Sequence, residues 1–221
     1  MLSDQENEWS TTPESTGTTI IAATYDGGVV VGADSRTTTG SYIANRVTDK
    51  LTPVTKYIFC CRSGSAADTQ AVADIVSYHM EYYKAANEGK EPTVALVAQT
   101  FRKILYEYRD QLLAGIIVAG WDEIAGGQVY VLPIGGMIHK LPMTIGGSGS
   151  TYIYGYCDAT YKLGFSVEEA LSFCKSSLSL AMARDGSSGG VIRLADISQD
   201  GVKRLVFRQD KDKLYEFPIF S

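Results

Sequence analysis

Strand-forming and helix-forming segments occupy separate blocks of this chain, in the order strands, two helices, strands, two helices, strands. Runs segregated in this way favour antiparallel sheets covered by helices over alternating βαβ units. The β-branched runs Thr19–Tyr25 and Val29–Ala33 flank Asp26-Gly27-Gly28, which predicts a hairpin. Lys56–Arg62 reads as another strand. Ser65, with Asp68 three residues on, predicts the start of a helix whose apolar positions include Val72, Ile75, Val76, His79 and Tyr83. Asn87-Glu88-Gly89 ends it, and Pro92-Thr93 opens a second helix with its stripe at Val94, Val97, Phe101, Ile104, Leu105, Tyr108 and Leu112.

Ala114–Gly120, Gln128–Pro133 and His139–Thr144 read as short strands, after which Gly146–Ser150 leads into a helix running to Tyr161. Ser166 and Glu169 form a capping box, and Arg184-Asp185-Gly186 stops that helix, with Gly186 suited to a left-handed cap. Val191–Ile197 and Lys203–Phe207 are the last strands. The expectation is an α+β fold, a four-layer αββα sandwich of two antiparallel sheets flanked by helices; the layer count itself does not follow from the pattern. One domain is expected over residues 18–221, preceded by a polar, removable arm over residues 1–17 that ends in Gly17. The tail Gln209–Ser221 alternates charged and aromatic residues and reads as a segment that packs on a neighbour.

With 20 Lys+Arg against 25 Asp+Glu the net charge is −5, which argues against a nucleic-acid or anionic-membrane binder. No apolar run has the length of a membrane span, and the leader lacks the basic start and hydrophobic centre of a secretory signal. Cys60, Cys61, Cys157 and Cys174 lack C-x-x-C spacing, so they are expected as reduced core thiols in a cytosolic or nuclear protein. Adjacent Cys60 and Cys61 should face opposite sides of their strand. His79 and His139 are the only histidines and neither has H-E-x-x-H spacing, so no metal centre, histidine triad or cofactor is expected.

Chemistry is expected first at Gly17-Thr18, between the leader and the first strand. An internal Thr hydroxyl has no base beside it. Cutting the Gly17–Thr18 bond would give Thr18 a free α-amine, of unperturbed pKa about 7.7–8.0, next to its own hydroxyl. Asp34 and Lys50 have a bland reading as a structural ion pair. The functional one has Lys50 lower the cost of a Thr18 alkoxide while Asp34 holds the ammonium. Gly64 either breaks its strand or offers a backbone N–H to an oxyanion. Gly146-Gly147-Ser148-Gly149 resembles a phosphate loop without the Gly-Lys-Ser/Thr ending; Ser148 or Ser150 is expected to cap the next helix, with a hydroxyl beside Thr18 as the alternative. Asp185 at a helix C-terminus opposes the macrodipole, which marks Asp185 and Ser188 as candidates to reach the Thr18 amine and hydroxyl.

Thr18-Thr19-Ile20, Gly32-Ala33-Asp34-Ser35-Arg36, Asp49-Lys50, Ser63-Gly64-Ser65-Ala66-Ala67-Asp68, Gly146-Gly147-Ser148-Gly149 and Asp185-Gly186-Ser187-Ser188-Gly189-Gly190 together resemble the motifs of proteasome β-type subunits, which are N-terminal nucleophile hydrolases. The resemblance runs from Thr18 to the last strands. Residues 37–46 and Cys60-Cys61-Arg62-Ser63-Gly64 are similar to the caspase-like group of these subunits. It implies Thr18 as nucleophile with its amine as base, Lys50 and Asp34 as the activating pair, Asp185 and Ser188 supporting the amine with Ser148 nearby, and Gly64 as oxyanion donor. It also implies that Thr18 removes the leader by attacking the Gly17 carbonyl, so that the full chain is a zymogen.

Arg62 lies two residues before Gly64 and so on the same strand face; it is either a solvated strand end or a receptor for an acidic substrate side chain, with Thr37, Thr38, Thr48 and Thr52 as pocket walls. Implied partners are other β-type subunits, α-type subunits, assembly chaperones and unfolded polypeptides, in cytoplasm and nucleus. A ring subunit without turnover and a small-amide hydrolase of the same fold are the competing readings.

Overall fold

The computed structural model describes residues 16–212 and 214. Strands β1 (Ile20–Tyr25) and β2 (Gly28–Ala33) form the hairpin expected across Asp26-Gly27. A small ribbon follows, β3 (Thr37–Thr39) with β4 (Tyr42–Asn45), then β5 (Leu51–Thr55) and β6 (Ile58–Gly64). Helices α1 (Ala66–Ala86) and α2 (Val94–Glu107) precede β7 (Ala114–Asp122), β8 (Gly126–Leu132), β9 (His139–Leu141) and β10 (Met143–Gly146). A 3-10 turn at Ser148–Tyr152 leads into α3 (Tyr154–Thr160) and α4 (Val167–Arg184); β11 (Val191–Ser198) and β12 (Gly201–Arg208) follow.

Two five-stranded antiparallel sheets result, in the orders β10-β1-β2-β11-β12 and β5-β6-β7-β8-β9. Side-chain alternation along each strand divides the apolar residues among three layers of contact. Ile20 and Ala22 join Cys61, Ile117 and Ala119 between the sheets. Ile21 and Ala23 face Phe173, Cys174 and Leu178 of α4. Cys60, Ile116 and Val118 face Val76, Val97 and Phe101 of α1 and α2. The architecture is the four-layer αββα sandwich, and Cys60 and Cys61 face opposite ways as free thiols. Both faces of β2 are covered, so every one of its residues is buried. No helix among the described residues is long and apolar enough to cross a membrane.

Several local expectations are corrected. The segment His139–Thr144 is two strands in different sheets: Pro142 separates β9, paired with β8, from β10, paired with β1. Proline has no N–H for a ladder, and the break at Pro142 carries the chain from one sheet to the other. Residues 37–55 contain three strands where none was expected. Strand β4 is exposed throughout and β5 contains Pro53, so neither carries the buried apolar signature. The helix to Tyr161 is divided at Ile153. Gly186 takes no left-handed conformation; Asp185, with φ −84° and ψ 113°, is the C-cap of α4.

The start of α1 is half as expected: Ser65 Oγ accepts from the Asp68 N–H, but the Asp68 carboxylate accepts from the Leu113 N–H instead of reaching back. At α4 the capping box between Ser166 and Glu169 is complete. The leader expectation over residues 1–15 lies outside the described residues, as does most of the tail; Leu214 packs on the chain's own α4-side core.

Candidate active site

Thr18 is buried at the entry to β1, where the ends of both sheets and the start of the 3-10 turn meet. The loop after β10 closes directly over it. The Gly149 N–H donates to the Thr18 carbonyl at 3.2 Å, and the Thr18 N–H donates to Ser148 Oγ at 3.2 Å. That approach explains the glycines: at Gly147, with φ +82°, a Cβ would lie 2.1 Å from the Thr18 carbonyl oxygen, and at Gly149 one would lie 2.0 Å from Thr19 Oγ1. The Gly-rich run is a lid on Thr18, and Ser148 makes no side-chain cap of the turn it begins. Of the two readings of Ser148 from the sequence, the structure has the hydroxyl beside Thr18 and not the helix cap.

Lys50 and Asp34 meet below this lid. Strand β2 delivers Asp34 at its end, and β5 begins just after Lys50. Lys50 Nζ donates to Asp34 Oδ1 at 2.7 Å, with both side chains almost wholly withdrawn from water. The carboxylate also accepts N–H bonds from Thr19 at 2.9 Å, Arg36 at 3.1 Å and Gly189 at 3.0 Å. Backbone donors of this kind fix both of its oxygens. Burial pushes the Lys50 ammonium pKa below its ordinary value, with the Asp34 charge opposing that shift.

The Gly17 carbonyl oxygen is the meeting point. It accepts from Thr18 Oγ1 at 2.7 Å and from Lys50 Nζ at 3.2 Å. The nucleophile candidate and the buried cation thus converge on the carbonyl of the bond that precedes Thr18. Leader residues are held in register there: the Thr16 N–H and Thr16 Oγ1 both donate to the Gly64 carbonyl, at 3.1 and 2.7 Å, and the Gly17 N–H donates to Thr38 Oγ1 at 3.2 Å. A Cβ on Gly17 would sit 1.9 Å from Ser187 Cβ, so only glycine fits beside that loop without rearrangement.

Gly64 has a different structural reason from the one read in the sequence. Its φ is +105° and a Cβ would stand 2.3 Å from the Leu113 carbonyl oxygen, so the backbone approach of β6 to the segment entering β7 demands glycine. With the leader attached, Gly64 contributes its carbonyl to Thr16, and its N–H is not among the donors to the Gly17 oxygen within the described residues.

Asp185 and Ser188 are also placed differently from the expectation. Ser188 Oγ donates to Asp185 Oδ2 at 2.6 Å and shares a 2.7 Å hydrogen bond with Thr19 Oγ1, not with Thr18. Asp185 stands one hydroxyl away from Thr18, through Ser148 Oγ, which donates to Asp185 Oδ2 at 2.8 Å. A serine has one proton to give. Donation to the carboxylate leaves the Ser148 lone pairs facing the Thr18 nitrogen.

Arg62 is half-buried on the helix-facing side of β6. Its guanidinium donates to Thr52 Oγ1 at 2.9 Å, Thr69 Oγ1 at 3.4 Å and the Asp49 carbonyl at 3.3 Å. Thr37 and Thr48 bond each other through their hydroxyls at 2.7 Å, and Thr38 serves Gly17. Of the wall residues named from the sequence, only Thr52 touches Arg62. A separate apolar cavity of about 730 Å³ opens beside Gly64 and Ser148, between Ile20, Ile117, Leu132 and Ile145; Arg62 does not line it. Thr19, Gly149 and Asp49 stand inside the quoted motifs but carried no role of their own in the sequence, and Thr16 lies outside them.

The family model for the proteasome subunit matches residues 14–197. The chain is 56% identical over 197 residues to "Proteasome subunit beta type-1" of Saccharomyces cerevisiae, covering 89% of this chain and 91% of that protein. It is 53% identical over 205 residues to "Probable proteasome subunit beta type-1" of Schizosaccharomyces pombe, covering 93% and 89%. It is 55% identical over 197 residues to "Proteasome subunit beta type-6" of Dictyostelium discoideum, covering 89% and 92%.

Proposed function

This chain belongs to the proteasome β-type subunits, and we propose that it is the threonine endopeptidase of its ring position, released by removal of its own leader and directed to acidic residues. The observation that carries the reading is the convergence of the Thr18 hydroxyl and the Lys50 ammonium on one carbonyl oxygen, that of Gly17.

In the first stage Thr18 Oγ1 attacks the Gly17 carbonyl carbon. Negative charge gathers on the Gly17 oxygen, where Lys50 already stands as a buried, Asp34-anchored cation. The C–N bond then breaks, the Thr18 nitrogen takes up the hydroxyl proton as it leaves, and the leader is held as an ester on Thr18. Water hydrolyses that ester, giving a Gly17 carboxylate and a free Thr18 amine. In the second stage the amine accepts the hydroxyl proton and Thr18 Oγ1 attacks the substrate carbonyl. The acyl-enzyme forms with loss of the substrate's amine, and water restores Thr18. Ser148, bonded to Asp185, accepts from the nitrogen that acts as base, which holds that nitrogen in a fixed orientation. Gly64, whose carbonyl holds Thr16 before cleavage, offers its N–H to the substrate oxyanion once the leader has left.

Arg62 supports a preference for cleavage after Glu or Asp. Its hydrogen-bond partners are all neutral oxygens, so its positive charge is unmatched within the described residues. A substrate carboxylate would supply the missing charge. Replacing Arg62 with methionine should lower kcat/KM for a fluorogenic peptide ending in Glu by about 10²-fold while raising that for one ending in Leu. Unchanged preference for Glu in that variant would remove Arg62 from the account. The working form on this reading is a chain within stacked β-type and α-type rings, assembled with chaperones and fed unfolded polypeptides, in cytoplasm and nucleus.

A further inference from the structure

The guanidinium of Arg62 touches a residue whose carboxylate it does not bond. Arg62 Nη2 donates to the backbone carbonyl of Asp49 at 3.3 Å, so the two residues are neighbours. That carboxylate is engaged elsewhere. Arg204, on β12 of the opposite sheet, directs one nitrogen at both of its oxygens, at 2.8 and 2.6 Å, and the same nitrogen lies 3.4 Å from the Leu51 carbonyl. The Leu51 N–H donates to Asp49 Oδ1 at 3.0 Å, and the Arg204 guanidinium stands 5.8 Å over the Phe59 ring. Asp49 is therefore turned toward β12 and away from the specificity arginine.

We infer that Arg204 is a positioning residue for substrate choice: by occupying the Asp49 carboxylate it leaves the Arg62 guanidinium free to take an acidic side chain of the substrate. The inference rests on the proposed role of Arg62 and adds the control of its charge. Without Arg204, Asp49 is an unpaired anion beside an unpaired cation. The two attract, and the substrate carboxylate then competes with an intramolecular one whose effective concentration is high. The Arg204–Asp49 pair is about 40% exposed, so solvent moderates the effect.

The test uses assembled particles carrying variants of this subunit. Arg204→Ala should lower kcat/KM for a Glu-terminated peptide about three- to fivefold, mainly through KM, and leave a Leu-terminated peptide within about twofold. Arg204→Lys, which keeps one nitrogen for the carboxylate, should restore much of the loss. The decisive variant is Arg204→Ala with Asp49→Asn. Removing the competing charge should return the Glu/Leu ratio to within about twofold of wild type, a coupling that mere loosening of β12 would not produce. An unaltered ratio in Arg204→Ala, or no recovery in the double variant, overturns the inference. If Arg62→Met shifts preference while Arg204→Ala does not, the specificity reading stands and only the Arg204 role falls; if Arg62→Met leaves the preference intact, both fall.

Discussion

Thr18→Ala in assembled particles should abolish cleavage of Glu-terminated peptides by this subunit, with a loss of at least about 10⁴-fold, and leave residues 1–17 attached. Both effects follow from one atom. Thr18 Oγ1 is the group that bonds the Gly17 carbonyl oxygen at 2.7 Å, and nothing else in the site replaces it as a nucleophile toward the leader. Ser148 and Ser188 hydroxyls are committed to Asp185. The check is the intact mass of the subunit together with turnover on the same preparation. A Thr18→Ala chain that loses its leader in particles whose other peptidase subunits are inactivated would show that the cut comes from elsewhere.

Lys50→Ala should be nearly as damaging to activity, with a loss of about 10³-fold or more, because it removes the cation from the oxygen on which charge develops. Its effect on the fold should be smaller than burial alone suggests. Breaking a buried ion pair ordinarily costs about 3–5 kcal/mol, since an uncompensated charge is left behind. Here Asp34 would keep three backbone N–H donors, from Thr19, Arg36 and Gly189, which places the expected cost near the low end, about 3 kcal/mol. Particle yield, thermal melting and peptide turnover measured together separate the two effects. An assembled, stable Lys50→Ala particle with more than about a tenth of wild-type turnover would take Lys50 out of the chemistry.

The parts of the fold that read correctly from the residues were those set by local chemistry. Asp26-Gly27 between two apolar runs dictated the β1–β2 hairpin, and Ser166 with Glu169 dictated the start of α4. Alternation alone sent Cys60 and Cys61 to opposite faces. What failed depended on partners distant in sequence. Strands β3 and β4 are short and mostly polar, and they exist because they pair with each other, so no buried stripe announces them. His139–Thr144 is continuous as a pattern, yet β9 and β10 pair with strands of different sheets.

The same division holds at the site. Asp34 stood out as a charge at a strand end and Lys50 as a cation further on, and the structure pairs them. Ser148 read either as a helix cap or as a hydroxyl beside Thr18, because nothing local decides between them; the Thr18 nitrogen is its neighbour across 130 residues. Asp185 was noticed for opposing a helix dipole, and three groups satisfy its carboxylate: the Ser148 and Ser188 hydroxyls and the Ser187 N–H. The Asp49–Arg204 pair spans 155 residues, and Arg204 lies in none of the quoted motifs.

Amino-terminal sequencing of this chain from active particles, with turnover of a Glu-terminated peptide measured on the same sample, bears most directly on the account. Thr18 as first residue, in a fraction that tracks the turnover across partly processed preparations, is the predicted result. Full turnover from particles in which the chain still begins ahead of Thr18 would contradict it, because the nitrogen required as base would then be an amide.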